Sequence, residues 1–183
     1  MHIPTHILSG WCLANAFPLT PRQRLFCMIA AAVPDVDGLG IVAGQEMYWR
    51  FHHVLGHNLF FSLIVATVLA VLGGRALLTF PIYLALFHLH LLMDFFGSGP
   101  GWKIHYFWPI SQVGYKTDLV WNLSSWQNTL AAAVLLAWTA VIAYLQRRTP
   151  LELISPRLDR IGVEALRSRD VSRSAEPPSG ESA

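Results

Sequence analysis

The chain has 183 residues, a formal net charge of +2 and a mean hydropathy of +0.43, and 54% of its residues are hydrophobic. So apolar a composition is unusual for a protein that meets only water, and the length suits one domain. The small net charge and the spacing of basic and aromatic residues argue against nucleic-acid binding. Six of the eleven acidic residues follow Thr149. We therefore predict a membrane-embedded domain over residues 1–148 and a polar, disordered tail over residues 149–183.

Residues 5–33 predict a helical hairpin. Its helices cover Thr5–Phe17 and Pro21–Val33, and Thr20 and Gln23 have the spacing of a capping box at the start of the second. At about 1.5 Å per residue each helix is about 20 Å long, which is short for a full crossing of a membrane. A cleavable signal peptide is the competing interpretation because Ala14-Asn15-Ala16 is typical of a cleavage site, but no Lys or Arg precedes it. The two cysteines lack metal or redox spacing and are predicted to be small core residues.

Three longer apolar runs follow, Leu59–Leu72, Ala76–Phe96 and Trp126–Leu145. About 20 helical residues cross the hydrocarbon core of a bilayer, so the last two runs have the length of spanning helices. The first has 14 residues and reaches that length only with flanking residues, as a short or tilted span. With the hairpin, these runs predict an all-α, multi-pass membrane bundle of about five helices.

Two long segments between the helices, residues 34–56 and 97–125, are rich in aromatic residues, Gly and Pro. Such segments are typical of ordered loops that carry function, whereas Pro18–Thr20 and Gly73–Arg75 are minimal turns. We expect the aromatic residues of the second long segment to form a belt at the membrane interface rather than a substrate platform. They are Trp102, Tyr106, Phe107 and Trp108.

Helices that alternate through a membrane place the N-terminus and both long segments on one face, and the minimal turns and the tail on the other. All eight histidines then fall on the first face or within two turns of it. Because cytoplasmic loops carry an excess of Lys and Arg, the histidine face is predicted to be exoplasmic and the tail cytoplasmic. The arginines that favour this orientation are Arg22, Arg24, Arg75, Arg147 and Arg148. In the tail, a short interfacial helix through Leu158, Ile161 and Leu166 is the alternative to disorder.

Three motifs on the histidine face combine imidazoles and carboxylates. In HLLMD, His90 and Asp94 share one side of an otherwise apolar helix, where ionisable residues are costly and usually functional. In PDVDG, Asp35 and Asp37 end a helix, where acids oppose the macrodipole unless a cation is present. HHVLGH, residues 52–57, offers three imidazoles, which are common metal ligands. A surface ion pair, a polar helix end and hydrated interfacial histidines are the simpler interpretations.

The motifs and the first helix supply seven nitrogen and oxygen donors, more than one open catalytic zinc site uses. We predict two divalent ions, with Zn favoured and Mn or Fe as alternatives, and water activated by them as the nucleophile. The predicted ligands are His6, Asp35, Asp37, His52, His57, His90 and Asp94. The candidates for proton transfer or phosphate contact are His53, His88, His105 and Lys103.

The order of the motifs resembles the YdjM-like family of LexA-regulated, membrane-bound, metal-dependent hydrolases. THILSG, PDVD, HHVLGHN, HLLMD and FWPIS carry the resemblance, which covers residues 1–111 and implies the same seven ligands. Where that family typically has Arg, Thr and Ser, this sequence has His53, Gly56 and Asn58, a difference that concerns substrate contacts more than metal binding. The family's looser similarity to zinc-dependent phospholipase C and P1-type nucleases implies a phosphoester substrate.

We therefore expect a multi-pass inner membrane protein of prokaryotic origin that hydrolyses phosphoesters in a lipid or lipid-linked substrate, without an obligate protein partner. A non-catalytic metal-binding or transport protein is the alternative, although transport usually places ionisable residues near mid-membrane. A haem protein with paired histidines is another, but it leaves the aspartates without a role.

Overall fold

The computed structural model describes residues 1–174, and their regular elements are helices. The α-helices are α1 (Ile3–Ala14), α2 (Pro21–Ala32), α3 (Gln45–Phe51), α4 (Leu59–Gly73), α5 (Ala76–Gly97), α6 (Trp126–Gln146) and α7 (Pro156–Ser174). The predicted all-α membrane bundle is confirmed, and its five predicted helices correspond to α1, α2, α4, α5 and α6.

Three helical segments of the described chain are long and apolar enough to cross a membrane. They are α5, α6 and Pro21–Ala43, in which α2 continues into a 3-10 helix, Val33–Ala43. Helix α4 is shorter, with 15 residues, as the sequence led us to expect. One arm of the N-terminal hairpin is longer than predicted because the PDVDG segment extends the helix instead of ending it.

The α1–α2 hairpin forms because its turn is capped and because the residues at the contact between the two helices are small. The Gln23 backbone N–H donates to Thr20 Oγ1 over 3.3 Å, and the Thr20 N–H donates to Gln23 Oε1 over 3.0 Å, which is the predicted capping box. At Gly10 a Cβ would lie 2.6 Å from the Cys27 carbonyl oxygen and 2.8 Å from Ala31 Cβ. Such small residues let helix backbones pack closely in a membrane.

The two minimal turns meet at one end of the bundle. Gln23 Nε2 donates to the Gly73 carbonyl over 3.1 Å, and Arg75 Nη1 donates to the Pro18 carbonyl over 3.0 Å. These contacts place both turns at the same end of helices α1, α2, α4 and α5, an arrangement that the predicted alternation requires. The core between these helices consists of Ala14, Leu19, Cys27, Ala30, Ala31, Ala66, Leu69, Ala70, Ile82, Tyr83 and Leu86. Both cysteines, Cys12 and Cys27, are buried and form no disulfide, which agrees with their prediction as small core residues.

A buried amide ties the start of α6 to the end of α5. Asn128 Nδ2 donates to the carbonyls of Gly97 over 2.9 Å and Leu123 over 2.8 Å, and Asn128 Oδ1 accepts from Trp121 Nε1 over 2.8 Å. A buried amide with these bonds satisfied fixes the chain around it. The long segment between α5 and α6 is thereby held against the end of α5.

The tail contains helix α7 where disorder was expected. The chain divides into two compact units, and the second begins at Leu136, inside α6 and before the predicted boundary at residue 148. Within this unit Asp159 Oδ1 accepts from the Thr149 N–H over 2.5 Å and from its hydroxyl over 2.8 Å. The helix that was the alternative to disorder is thus present at Pro156–Ser174, and residues 175–183 lie outside the described chain.

We expect the substitution Gly10→Leu to destabilise the bundle, because its side chain would displace the α2 backbone at Cys27. Overpacking of this kind costs about 1–3 kcal/mol, which should appear as a lower thermal midpoint of the detergent-solubilised protein. Gly101→Ala is the matched control, since no atom lies within 4 Å of the added Cβ. Equal midpoints for the two variants would contradict the close approach of α1 and α2.

Candidate metal centre

Two carboxylates and two imidazoles converge where α2, α4 and α5 meet. Asp35, His57, His90 and Asp94 each offer one ligand atom, and these atoms all lie within 4.8 Å of one another. The three besides Asp35 are buried, and Asp35 is half-buried. We call this set the central cluster. It joins members of all three motifs that the sequence analysis selected.

Chain geometry explains how the central cluster assembles. His90 and Asp94 are one turn apart on α5, with Nε2 and Oδ2 separated by 3.1 Å. Asp35 lies in the 3-10 helix that follows α2, and His57 lies just before α4, so both approach the same end of α5. From α1, His6 adds an Nε2 that lies 3.1 Å from the other Asp94 oxygen, Oδ1, and its ring stacks on His90 at 3.8 Å.

The imidazoles present lone pairs to the centre of the cluster. His90 Nδ1 donates to the Ala31 carbonyl over 2.8 Å, and His57 Nδ1 donates to Asp37 Oδ2 over 3.0 Å. Because both acceptors are oxygens, each neutral ring keeps its hydrogen on Nδ1 and exposes Nε2 as a lone pair. The two Nε2 atoms are only 3.2 Å apart, and Asp94 Oδ2 lies 3.3 and 3.1 Å from them. Acceptors this close repel one another unless a proton or a cation lies between them.

Asp37 stands behind His57 rather than beside the other ligand atoms. Its carboxylate accepts from His52 Nδ1 over 2.7 Å, from His57 Nδ1 over 3.0 Å and from the Gly56 N–H over 2.9 Å. A carboxylate on the second nitrogen of a ligand histidine fixes the ring and its tautomer. The geometry therefore favours an orienting role for Asp37 over the predicted ligand role, and it gives His52 a place beside Asp37.

The loop that carries the histidines depends on Gly56. A Cβ there would lie 1.9 Å from the Pro34 carbonyl oxygen, so no larger residue fits without moving the backbone. The absence of a side chain lets the loop close onto the PDVDG segment and donate its N–H to Asp37. Asn58 then starts α4 as its N-cap, with Oδ1 accepting from the Phe61 N–H over 2.8 Å.

The electrostatics of the loop histidines favour a positive charge in the cluster. Burial lowers the pKa of His57, but its hydrogen bonds to Asp37 and Asp94 outweigh burial and raise the pKa to about 9. Near neutral pH the ring therefore carries a proton on Nε2 as well, and a metal ion that binds this nitrogen would displace that proton. Burial also lowers the pKa of His53, and here it dominates, so that pKa lies well below its ordinary value. His53 is therefore a neutral imidazole near neutral pH, and its Nε2 lies 3.5 Å from Asp94 Oδ2.

Several buried polar atoms of the site lack a hydrogen-bond partner within the described chain. They are His6 Nδ1, Asp35 Oδ2 and His53 Nδ1. Buried polar groups are rarely left unpaired, and an unpaired carboxylate oxygen beside three other donors is the chemistry that a divalent ion satisfies. The residues present thus fit a metal ion with nitrogen and oxygen ligands.

A cavity of about 510 Å³, which we call the metal-side cavity, opens beside the central cluster. Asp35 and Asp94 line it together with Tyr48 and Trp102, neither of which the sequence analysis assigned to a site. Tyr48 stacks on His52 at 4.7 Å, and the Trp102 ring lies 4.9 Å from the same imidazole. The belt prediction for Trp102 is therefore incomplete. The aromatic residues next to the histidine motif were the sequence signal that could have predicted an aromatic lining of the metal-side cavity.

The remaining candidates for proton transfer or phosphate contact have other partners. His88 Nε2 lies 2.9 Å from the Tyr106 hydroxyl and its Nδ1 donates to the Leu84 carbonyl, while His105 Nδ1 donates to the Gln112 carbonyl. Lys103 is exposed. Of the four predicted candidates, the structure brings His53 to the central cluster.

Comparisons with known proteins give one match. The sequence model of the YdjM inner membrane protein family matches residues 1–155, which confirms the resemblance carried by the motifs and extends it beyond residue 111. No curated protein and no solved structure matches the chain.

We expect Asp37→Asn to weaken metal binding by about 10- to 100-fold, because an orienting carboxylate contributes that much to metal affinity. Titration of the detergent-solubilised protein with zinc against a chelating dye measures the change. Asp118→Asn, an exposed acid in the segment after α5, is the control and should bind as the unaltered protein does. Unchanged affinity in Asp37→Asn would contradict the orienting role.

Proposed function

The chain belongs to the YdjM inner membrane protein family, and from that premise we propose that it is a metal-dependent hydrolase of phosphoester bonds in lipid or lipid-linked substrates. The observation that carries the proposal is the central cluster, in which two lone-pair nitrogens and two carboxylates meet within 4.8 Å beside an open cavity. Such an arrangement favours a divalent ion that remains accessible to a substrate.

Two ions fit the donors better than one. The central cluster would supply the ligands of the first ion. Asp35 Oδ2 has no hydrogen-bond partner in the described chain, so Asp35 has an oxygen to offer a second ion. Asp94 Oδ1 faces away from the central cluster towards His6 and the Met1 amino group, and it would give up the contact with Met1 to bind that ion. A pair of divalent ions supplies an activated water and a clamp for the oxygens of a phosphoester. Imidazole and carboxylate donors without a thiolate favour Zn, with Mn and Fe as alternatives.

The chain's own groups account for the proton balance of hydrolysis. Water adds to phosphorus, the bond from phosphorus to the leaving oxygen breaks, and the leaving oxygen takes up a proton. His53 is the group that we assign to accept the proton of the attacking water and to pass it to the leaving oxygen, because its imidazole is neutral and its Nε2 lies 3.5 Å from Asp94 Oδ2. Asp37 holds His57, and Ala31 holds His90, so that both rings keep their orientation through the reaction.

A lipid substrate is favoured by the position of the site. Asp94 and His90 lie three and seven residues before the end of the apolar helix α5, about 5 and 10 Å along its axis. Exposed Ile3, Leu39 and Leu123 line the metal-side cavity above these polar groups. We place the site on the periplasmic face and the tail in the cytoplasm, on the basis of the arginine distribution.

We expect His57→Ala, His90→Ala and Asp94→Ala to lose most of their bound metal, measured by elemental analysis of purified protein, and to lose hydrolysis of bis(p-nitrophenyl) phosphate and phospholipids. A chelator should abolish the activity of the unaltered protein, and zinc should restore it. His105→Ala is the control for metal content because its imidazole bonds to the Gln112 carbonyl. Metal binding without hydrolysis would favour a metal-binding or transport protein instead.

A further inference from the structure

A second chamber of about 490 Å³ adjoins the metal-side cavity. The two share four lining residues, so they lie side by side. These residues are His2, Ser98, Trp102 and Leu123. A substrate whose phosphate lies at the central cluster would therefore extend the group attached to it into the second chamber.

One wall of the second chamber is a pair of stacked indoles. Trp49 from α3 and Trp102 from the segment after α5 lie parallel, with centroids 4.5 Å apart and an interplanar angle of 6°. Trp49 is 57% exposed although it is stacked on one side, so part of its surface is available to a ligand. A membrane-interface belt requires indoles near lipid headgroups, but it does not require a parallel pair that lines a chamber beside the metal-side cavity.

The rest of the second chamber combines the apolar Leu123 with polar side chains and contains no Asp, Glu, Lys or Arg. Asn122 and Ser124 line it, together with the turn Gly99-Pro100-Gly101. Gly99 has a φ of 101°, a conformation that favours glycine, and no atom lies within 4 Å of the position that a Cβ would take on Gly101. Peptide groups of this turn are thus open to a ligand. No Asp, Glu, Lys or Arg is among the lining residues, so neither a cationic nor an additional anionic group finds a partner there.

We propose that the second chamber is a headgroup subsite that binds a neutral, polyhydroxylated ring, glycosyl or cyclitol, linked to the phosphate of a lipid substrate. The inference rests on the proposed function, because it takes the phosphoester at the central cluster as the anchor. The C–H face of the ring packs on Trp49, where an aromatic contact is favourable. The ring hydroxyls bond to Asn122, Ser124 and the glycine-rich turn, which satisfies polar groups on both partners.

The test compares phosphatidylinositol with phosphatidylethanolamine of identical acyl chains, in mixed micelles with the zinc-loaded full chain. Both are phosphodiesters, but one headgroup is a cyclitol and the other is short and cationic. We expect faster hydrolysis of phosphatidylinositol, and we expect Trp49→Leu to reduce the ratio of the two rates by about three- to tenfold, the range of one aromatic contact. Trp49→Phe should restore part of the ratio. Met47→Leu, on the same helix but outside both the second chamber and the metal-side cavity, should leave it unchanged.

The outcomes separate this inference from the proposed function. One outcome is that the protein hydrolyses bis(p-nitrophenyl) phosphate, while the ratio of its rates on phosphatidylinositol and phosphatidylethanolamine is the same with and without Trp49. That outcome would overturn the subsite and support the hydrolase. If no phosphodiester is hydrolysed, the proposed function is wrong, and binding decides the subsite. The subsite would then be supported by a change in tryptophan fluorescence on adding phosphatidylinositol micelles, if the change is absent with phosphatidylethanolamine and reduced in Trp49→Leu. Equal fluorescence responses to the two lipids would overturn the subsite.

Discussion

The neutralisation of Asp94 is the constraint on which the site end of the bundle depends. Its carboxylate is 1% exposed within an apolar helix, where an isolated charge is costly. Imidazoles from three places, namely helix α1, helix α5 and the loop that precedes α4, all lie within 3.5 Å of its oxygens. They belong to His6, His53, His57 and His90. Three distant parts of the chain thus meet at one buried carboxylate, which the Met1 amino group also contacts, and a cation held between the ligand atoms would compensate its charge.

Backbone contacts make that convergence possible. Gly10 brings α1 against α2, and the Ala31 carbonyl at the end of α2 then orients His90 on α5. Gly56 lets the histidine loop reach Asp37. At the other end, Gln23 joins the two minimal turns. The bundle is therefore held by hydrogen bonds to backbone carbonyls at one end, whereas ionisable side chains meet at the other.

The sequence predicted the helices, their alternation and the residues that meet, because apolar length and the four-residue spacing of His90 and Asp94 are local properties. It could not predict which oxygen or nitrogen faces the centre, so it could not separate a ligand role of Asp37 from the orienting role that its three N–H partners favour. It also missed the pairing of Trp49 with Trp102, which are far apart in the chain. Helix α7 was only the alternative to disorder, because the composition of the tail does not show that Asp159 accepts two hydrogen bonds from Thr149.

The burial of Cys12 and Cys27 has a practical consequence. Both thiols are sealed within the helical core, so oxidants and alkylating reagents in solution have no ready access to sulfur in the folded protein. A single cysteine introduced on the surface would consequently be the one thiol that labelling reagents reach in the folded protein. Spin labels or fluorophores could then be attached at chosen positions without first replacing the native residues.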